Sequence, residues 1–133
     1  YINKVPDNVK KINEYIHYRN PLIHPTVMFR MDLFNKIGYY NEKMLTDQDL
    51  EFWGRALLNH INITNIQKPL LFLRIQNRLL RRSRLSAIKR QFIIRFSYNT
   101  CSLKLNVLKL MSIILRLLPI KIREWAYNNL RNF

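Results

Sequence analysis

The sequence NPLIHPTVMFRMDLFNKIGYYNEKMLTDQDLEFWGR, residues 20–55, contains the clearest signals in the chain for where helices and strands begin and end. Residues 22–30 are rich in apolar and β-branched side chains and predict a strand. Asp32 is suited to cap a short helix, and Gly38 stands where a left-handed residue after the helix belongs. A second helix is predicted over 47–58, because its apolar residues recur at helical spacing.

The flanking segments continue this alternation of helices and strands. Residues 6–18 have apolar side chains at helical spacing and predict an amphipathic helix. Two short strands are expected over 62–66 and 70–75. Residues 84–133 are expected to be helical. The sequence therefore predicts an α/β fold with few short strands, followed by a mainly α-helical tail.

The net charge of +15 is distributed unevenly along the chain. Residues 1–72 hold nine basic and seven acidic side chains, whereas residues 73–133 hold fourteen basic side chains and one acid, Glu124. This asymmetry indicates a polyanionic partner for the second half, and nucleic acid and anionic lipid both qualify on charge alone. Two glycines and one cysteine, Cys101, exclude a glycine-rich phosphate loop, an internal disulfide and a cysteine-based zinc cage.

Four motifs occur together in an order that is typical of one enzyme family. They are HPTVMFR at 24–30, GYYNE at 38–42, QDLEFWGR at 48–55 and PLLFLR at 69–74. The chain therefore resembles the C-terminal, acceptor-side part of family 2 glycosyltransferases. The resemblance implies a truncated GT-A-type fold. It also implies transfer of a sugar, with inversion, from a nucleotide-sugar donor to a glycan or lipid-linked acceptor in cell-envelope polysaccharide or glycolipid synthesis.

The resemblance assigns catalysis to Asp49, as the base that removes the proton of the acceptor hydroxyl. Its place in the first turn of the predicted helix fits this role independently, because exposed N–H groups and the helix dipole favour an ionised carboxylate there. The alternative is a helix-capping role, since Thr46 and Asp47 also suit a helix start.

Four further residues are expected to contact the substrates: Asp47, Gln48, His24 and Trp53. Gln48 replaces the glutamate of the family's E-D pair and keeps its hydrogen-bonding ability. His24 lines the donor or acceptor site in one interpretation, and bonds to backbone at a strand entry in the other. Trp53 either stacks on a sugar or packs in the core.

A divalent metal, Mg or Mn, is implied for the full-length enzyme, where it stabilises the leaving diphosphate. Its ligands are expected outside these 133 residues, because the donor-binding half with its D-x-D pair is missing. Residues 47–49 have those letters, but they belong to the catalytic motif. Gln76 occupies the place of a histidine that reaches the metal in many relatives. We therefore predict no metal site in this chain and no sugar transfer by this chain alone.

Residues 77–133 form a basic, leucine-rich tail after the catalytic part, 1–76, with helix breaks near Thr100 and at Pro119. The longest uncharged run, 110–115, is too short to span a bilayer. We expect amphipathic helices that lie on an anionic membrane surface. Similar basic, leucine-rich tails follow the catalytic domain in many family 2 enzymes that act on lipid-linked sugars. The expected location is cytoplasmic, on the inner face of the cell membrane. The alternative function is a non-catalytic basic module on membranes or nucleic acid, although no nucleic-acid-binding motif is recognised.

Overall fold

The computed structural model describes residues 4–72 and 85–129, and all regular secondary structure in those ranges is helical. The α-helices are α1 Val9–Tyr15, α2 Asp32–Ile37, α3 Gln48–Leu58, α4 Leu85–Ser97, α5 Leu103–Ile114 and α6 Ile120–Asn129. A short 3-10 helix, His24–Thr26, lies between α1 and α2. Within the described ranges no helix has the length and apolar character needed to cross a bilayer.

The expectation of an α/β, GT-A-type fold is wrong, because the described residues contain no strand. The segment 22–30, predicted as a strand, forms the 3-10 helix His24–Thr26 instead. Pro25 has no N–H to give to a neighbouring strand. The N–H groups of Thr26 and Val27 donate to carbonyls within the segment itself. Local turns therefore satisfy backbone groups that a strand would offer to a partner.

The two later predicted strands are also absent from the described residues. Residues 62–66 and 70–72 have no regular secondary structure, and 73–75 lie outside the described ranges. Side chains within 64–67 donate to backbone carbonyls of residues 5–7 at 2.6 to 3.1 Å. A strand is stable only beside another strand that completes its hydrogen-bond ladder, and an apolar composition does not supply that neighbour.

The predicted helices are confirmed, with shifted ends. α1 is shorter than predicted and begins after Asn8, whose side chain accepts a hydrogen bond from the first turn. Gly38 ends α2 with a φ of 73°, as predicted, whereas Asp32 is the first helical residue rather than the cap. The breaks near Thr100 and at Pro119 separate α4, α5 and α6.

The hydrophobic core combines residues from both halves of the chain. Its buried members are Ile16, Leu22, Leu33, Ile37, Leu50, Phe52, Trp53, Ala56, Ile94 and Tyr98. The last two come from α4 and the residue that follows it. Gly54 permits this contact, because a Cβ at that position would lie 2.8 Å from the Tyr98 ring. The first part of the tail therefore packs directly on α3, and the domain boundary after residue 76 stays a prediction.

A buried polar cluster fixes α4 and α5 to the C-terminal end of α1. Arg95 Nη1 and the Tyr98 hydroxyl both donate to the carbonyl of Ile16, at 2.8 and 3.2 Å. Lys109 Nζ donates to the carbonyl of Tyr98 at 2.7 Å. Carbonyls at a helix C-terminus lack partners within their own helix. The later helices therefore supply the donors that the first helix needs.

Candidate functional site

A broad cleft runs along the N-terminal part of α3 and is bordered by residues 18–30 and 60–72. Its volume is about 2030 Å³, which exceeds the roughly 300–1,000 Å³ of typical small-molecule pockets. It is therefore an open groove rather than an enclosed pocket. Its walls include four of the five predicted site residues, namely Asp49, Asp47, His24 and Trp53.

Asp49 is the second residue of α3 and is half-buried at the cleft wall. It is not the N-cap of the helix, because that position belongs to Asp47. Asn20 Nδ2 donates to Asp49 Oδ2 at 2.8 Å. Within the described part of the chain, Asp49 Oδ1 accepts no hydrogen bond from a protein group. One carboxylate oxygen is thus held by Asn20, and the other is not held by a described residue.

Asn20 is itself held in place on both sides of its side chain. Its Oδ1 accepts the N–H of Leu22 at 3.2 Å, which closes a turn around the buried Pro21. The carbonyl of Pro21 accepts a hydrogen bond from Asn65 Nδ2 at 3.0 Å. The proline fixes its own φ, and the two bonds limit the rest of the turn. The contact between Asn20 and Asp49 joins residues 29 positions apart, and no local sequence pattern predicted it.

Tyr40 is a second neighbour that sequence reasoning did not single out, although it belongs to the GYYNE motif. Burial raises the pKa of its hydroxyl, and the negative charge of Asp49 raises it further. The ring stacks on Phe52 with centroids 4.4 Å apart. Tyr40 therefore keeps its proton at neutral pH and is a neutral hydrogen-bonding group within the electrostatic field of Asp49.

The rings of His24 and Trp53 meet at the same wall of the cleft. Their centroids are 6.2 Å apart, and His24 also packs edge-on to Tyr40 at 5.9 Å. His24 is exposed, and no described residue forms a hydrogen bond with its ring. Trp53 is only 2% exposed and belongs to the core, which is the second of its two sequence interpretations. Contact of either residue with a substrate stays a prediction.

Asp47 connects α3 with α4. Its backbone is left-handed, with φ 63° and ψ 12°, and its side chain makes no capping bond to α3. Aspartate tolerates this conformation better than most L-residues. Its carboxylate oxygen lies 3.8 Å from Arg90 Nε on α4. Gln48, the first residue of α3, is half-buried.

A divalent metal site needs several ligand side chains that converge on one point among the described residues. No three His, Cys, Asp or Glu side chains among them converge in a way that could hold a metal ion. Residues 4–72 and 85–129 therefore do not offer the ligands of a metal centre. The Mg or Mn ion implied by the resemblance stays an expectation for residues outside these ranges.

Two curated proteins are similar to this chain. An uncharacterized glycosyltransferase of Methanocaldococcus jannaschii is 34% identical over 91 residues, which cover 68% of this chain and 29% of the relative. The UDP-Gal:alpha-D-GlcNAc-diphosphoundecaprenol beta-1,3-galactosyltransferase of Escherichia coli is 30% identical over 132 residues, which cover 95% of this chain and 47% of the relative. No protein-family profile and no solved structure matches the chain.

The comparisons confirm a relationship to glycosyltransferases in general terms, as the four motifs predicted. The chain spans half or less of the length of the curated relatives it matches. Assignment to family 2 stays a prediction.

Proposed function

We propose that this chain is the acceptor-side part of a glycosyltransferase that moves a sugar from a nucleotide donor to a lipid-linked saccharide, with Asp49 as the base. The observation that carries the proposal is the anchored carboxylate of Asp49 in an open cleft. The named substrate of the Escherichia coli relative, a GlcNAc-diphosphoundecaprenol, supports a lipid-linked acceptor over a free glycan. The product would enter cell-envelope polysaccharide or glycolipid synthesis.

The proposed chemistry is a single displacement at the anomeric carbon of the donor sugar. The acceptor hydroxyl donates a hydrogen bond to Asp49 Oδ1, and its oxygen attacks the anomeric carbon. As this bond forms, the bond from that carbon to the diphosphate oxygen breaks, and the nucleoside diphosphate leaves with the electron pair. The hydroxyl proton passes to Asp49. One displacement from the opposite side inverts the anomeric configuration.

A transfer assay tests the proposed function. The complete gene product is incubated with a panel of nucleotide sugars, and with acceptors that carry a saccharide on a polyprenyl diphosphate or on a simple alkyl group. We expect transfer to a polyprenyl-linked acceptor, and none by residues 1–133 alone. A folded complete product that transfers no sugar with any pair would contradict the proposal.

Asn20 is expected to act as a positioning residue for Asp49. Asn20→Ala removes the hydrogen bond at 2.8 Å and leaves the carboxylate free to turn. A hydrogen bond to a charged group contributes about 1.5–3 kcal/mol, so kcat should fall roughly 10-fold to 100-fold while KM for the donor changes little.

A double-mutant cycle separates this role from a structural one. In an Asp49→Asn background the Asn20→Ala change should cost little further activity, because the group that Asn20 positions is already disabled. Equal fold-losses in both backgrounds would show that Asn20 acts on the fold alone.

A further inference from the structure

α5 buries one of its lysines, Lys109, and exposes much of its apolar surface. Lys109 is fully buried, and Ile113, four residues later, is buried too. The apolar residues exposed on and just beyond the helix are Leu103, Val107, Leu110, Met111, Ile114 and Leu117, each between 45% and 79% exposed. Most of these positions follow one another at intervals of three or four residues, so they share one broad face of the helix. A helix that packs on a protein core normally turns this face inward.

Contacts of Lys109 fix this orientation. Its Nζ donates to the Tyr98 carbonyl at 2.7 Å and lies 5.2 Å from the centroid of the Phe96 ring. Burial, and then the neighbouring charge of Arg95, lower the pKa of the Lys109 amine. A buried amine with a single carbonyl partner is costly to leave unpaired. A rotation of α5 that hid the apolar face would break this bond, so the exposed face is a stable feature of the packing.

The surroundings of the apolar face are basic. Residues 85–129 contain eight Lys and Arg side chains, of which Arg95 and Lys109 are buried, and one acid, Glu124. Lys104 on α5 and Lys121 on α6 are exposed. α4 also exposes Phe92, which is 48% accessible. Protein–protein interfaces are depleted in lysine, whereas an apolar face beside basic side chains matches an anionic lipid surface.

We propose that the outer face of α5, from Leu103 to Leu117, is the surface by which this chain docks on an anionic lipid bilayer. The helix lies in the plane of the membrane. Its aliphatic side chains enter the boundary between headgroups and acyl chains, and the neighbouring lysines contact lipid phosphates. This proposal is independent of the proposed catalysis, because it concerns no residue of the cleft around Asp49.

A vesicle-binding experiment with residues 1–133 tests the proposal. The wild-type chain is mixed with phosphatidylcholine vesicles with and without phosphatidylglycerol. The variant Val107→Asp/Met111→Asp places two acids on the proposed face, at positions that are 49% and 50% exposed. The matched control, Leu45→Asp/Ile66→Asp, makes the same charge change at residues that are 92% and 71% exposed outside α5. Circular dichroism follows the folding of each variant.

We expect the wild type to bind the anionic vesicles. The α5 variant should bind at least about 30-fold more weakly, because each cancelled cation near the membrane removes about 1 kcal/mol and buried apolar surface is lost as well. The control should lose less than about 5-fold. Equal losses in both variants would overturn the proposal, since net charge alone would then explain binding. The proposal would also be overturned if the wild-type chain did not bind anionic vesicles. A self-association that the α5 variant abolishes would overturn it too, because a second copy would then cover the face.

Discussion

Replacement of Asp49 by asparagine is expected to lower kcat of the complete enzyme by about 10²–10⁴-fold, the usual contribution of a general base. Asparagine has the same shape and can still accept the hydrogen bond from Asn20 Nδ2 that Asp49 accepts at 2.8 Å. It cannot take a proton from the acceptor hydroxyl. KM for the nucleotide sugar should change little, because the loss falls on the transition state rather than on donor binding.

Glu51→Gln is the matched control for Asp49→Asn. Glu51 is another half-buried acid in the first turn of α3, but its carboxylate is paired with Arg55 at 2.6 Å. Both changes remove one negative charge near the helix N-terminus, where such a charge contributes about 0.3–1 kcal/mol of stability. Both variants should therefore have a somewhat lower melting temperature, and only Asp49→Asn should lose turnover. Near-normal turnover of Asp49→Asn, or an equal loss in Glu51→Gln, would contradict the assignment.

His17 is expected to make the fold sensitive to acid. Its side chain is buried against Tyr98, with ring centroids 5.6 Å apart, and Nδ1 has no hydrogen-bond partner among the described residues. Burial, followed by the charges of Lys109 and Arg95, lowers the pKa of His17 from 6.5 to about 4. The folded state therefore holds this imidazole neutral.

The direction of the pH effect follows from proton counts. Between pH 6.5 and about 4, unfolded chains carry a proton on His17 that folded chains do not. The free energy of unfolding is therefore highest above pH 6.5 and falls as the pH is lowered through this window. Over the whole shift of the His17 pKa, the free energy of unfolding falls by about 3 kcal/mol, since one pKa unit corresponds to about 1.4 kcal/mol.

Urea denaturation of the wild type and of His17→Phe, above pH 6.5 and near pH 4, measures this contribution. Phenylalanine keeps a ring against Tyr98 and does not titrate. The variant should lose about 3 kcal/mol less than the wild type on acidification, because carboxylates titrate alike in both proteins. Lys109→Met is a second variant. It removes one of the two charges that lower the pKa of His17, so the folded-state pKa should move closer to 6.5 and the pH range over which stability is lost should become narrower. Parallel pH profiles of wild type and His17→Phe would show that the buried imidazole is not the cause.

Helices and the enzyme relationship were accessible from the sequence, because both depend on local patterns. The end of α2 at Gly38 and the breaks in the tail follow from short-range rules of capping and chain restriction. The start of α1 was predicted at residue 6, whereas the helix begins after Asn8. The motifs between 24 and 74 identified the relationship to glycosyltransferases that the two curated relatives confirm in general terms. Asp49 was placed in the first turn of α3, where it lies.

Strands were predicted wrongly because a local sequence pattern does not show whether a partner strand exists. A strand depends on a second strand elsewhere, and composition records only the tendency of one segment. Residues 22–30 have the composition of a strand, but they form a short 3-10 helix and local turns instead. Within 62–66, two side chains donate hydrogen bonds to backbone carbonyls of the N-terminal segment. The α/β prediction assumed partners that the described residues do not provide.

The sequence by itself determined the helices, the charge asymmetry and the residue that we propose as base. Only the tertiary structure decided what surrounds that base and which way the tail helices face. Asn20 reaches Asp49 across 29 positions, and Arg95 reaches the Ile16 carbonyl across 79. Periodicity identified α5 as apolar but could not show that its apolar side is exposed. That orientation follows from the bond between Lys109 and the Tyr98 carbonyl, because a buried amine must keep its partner.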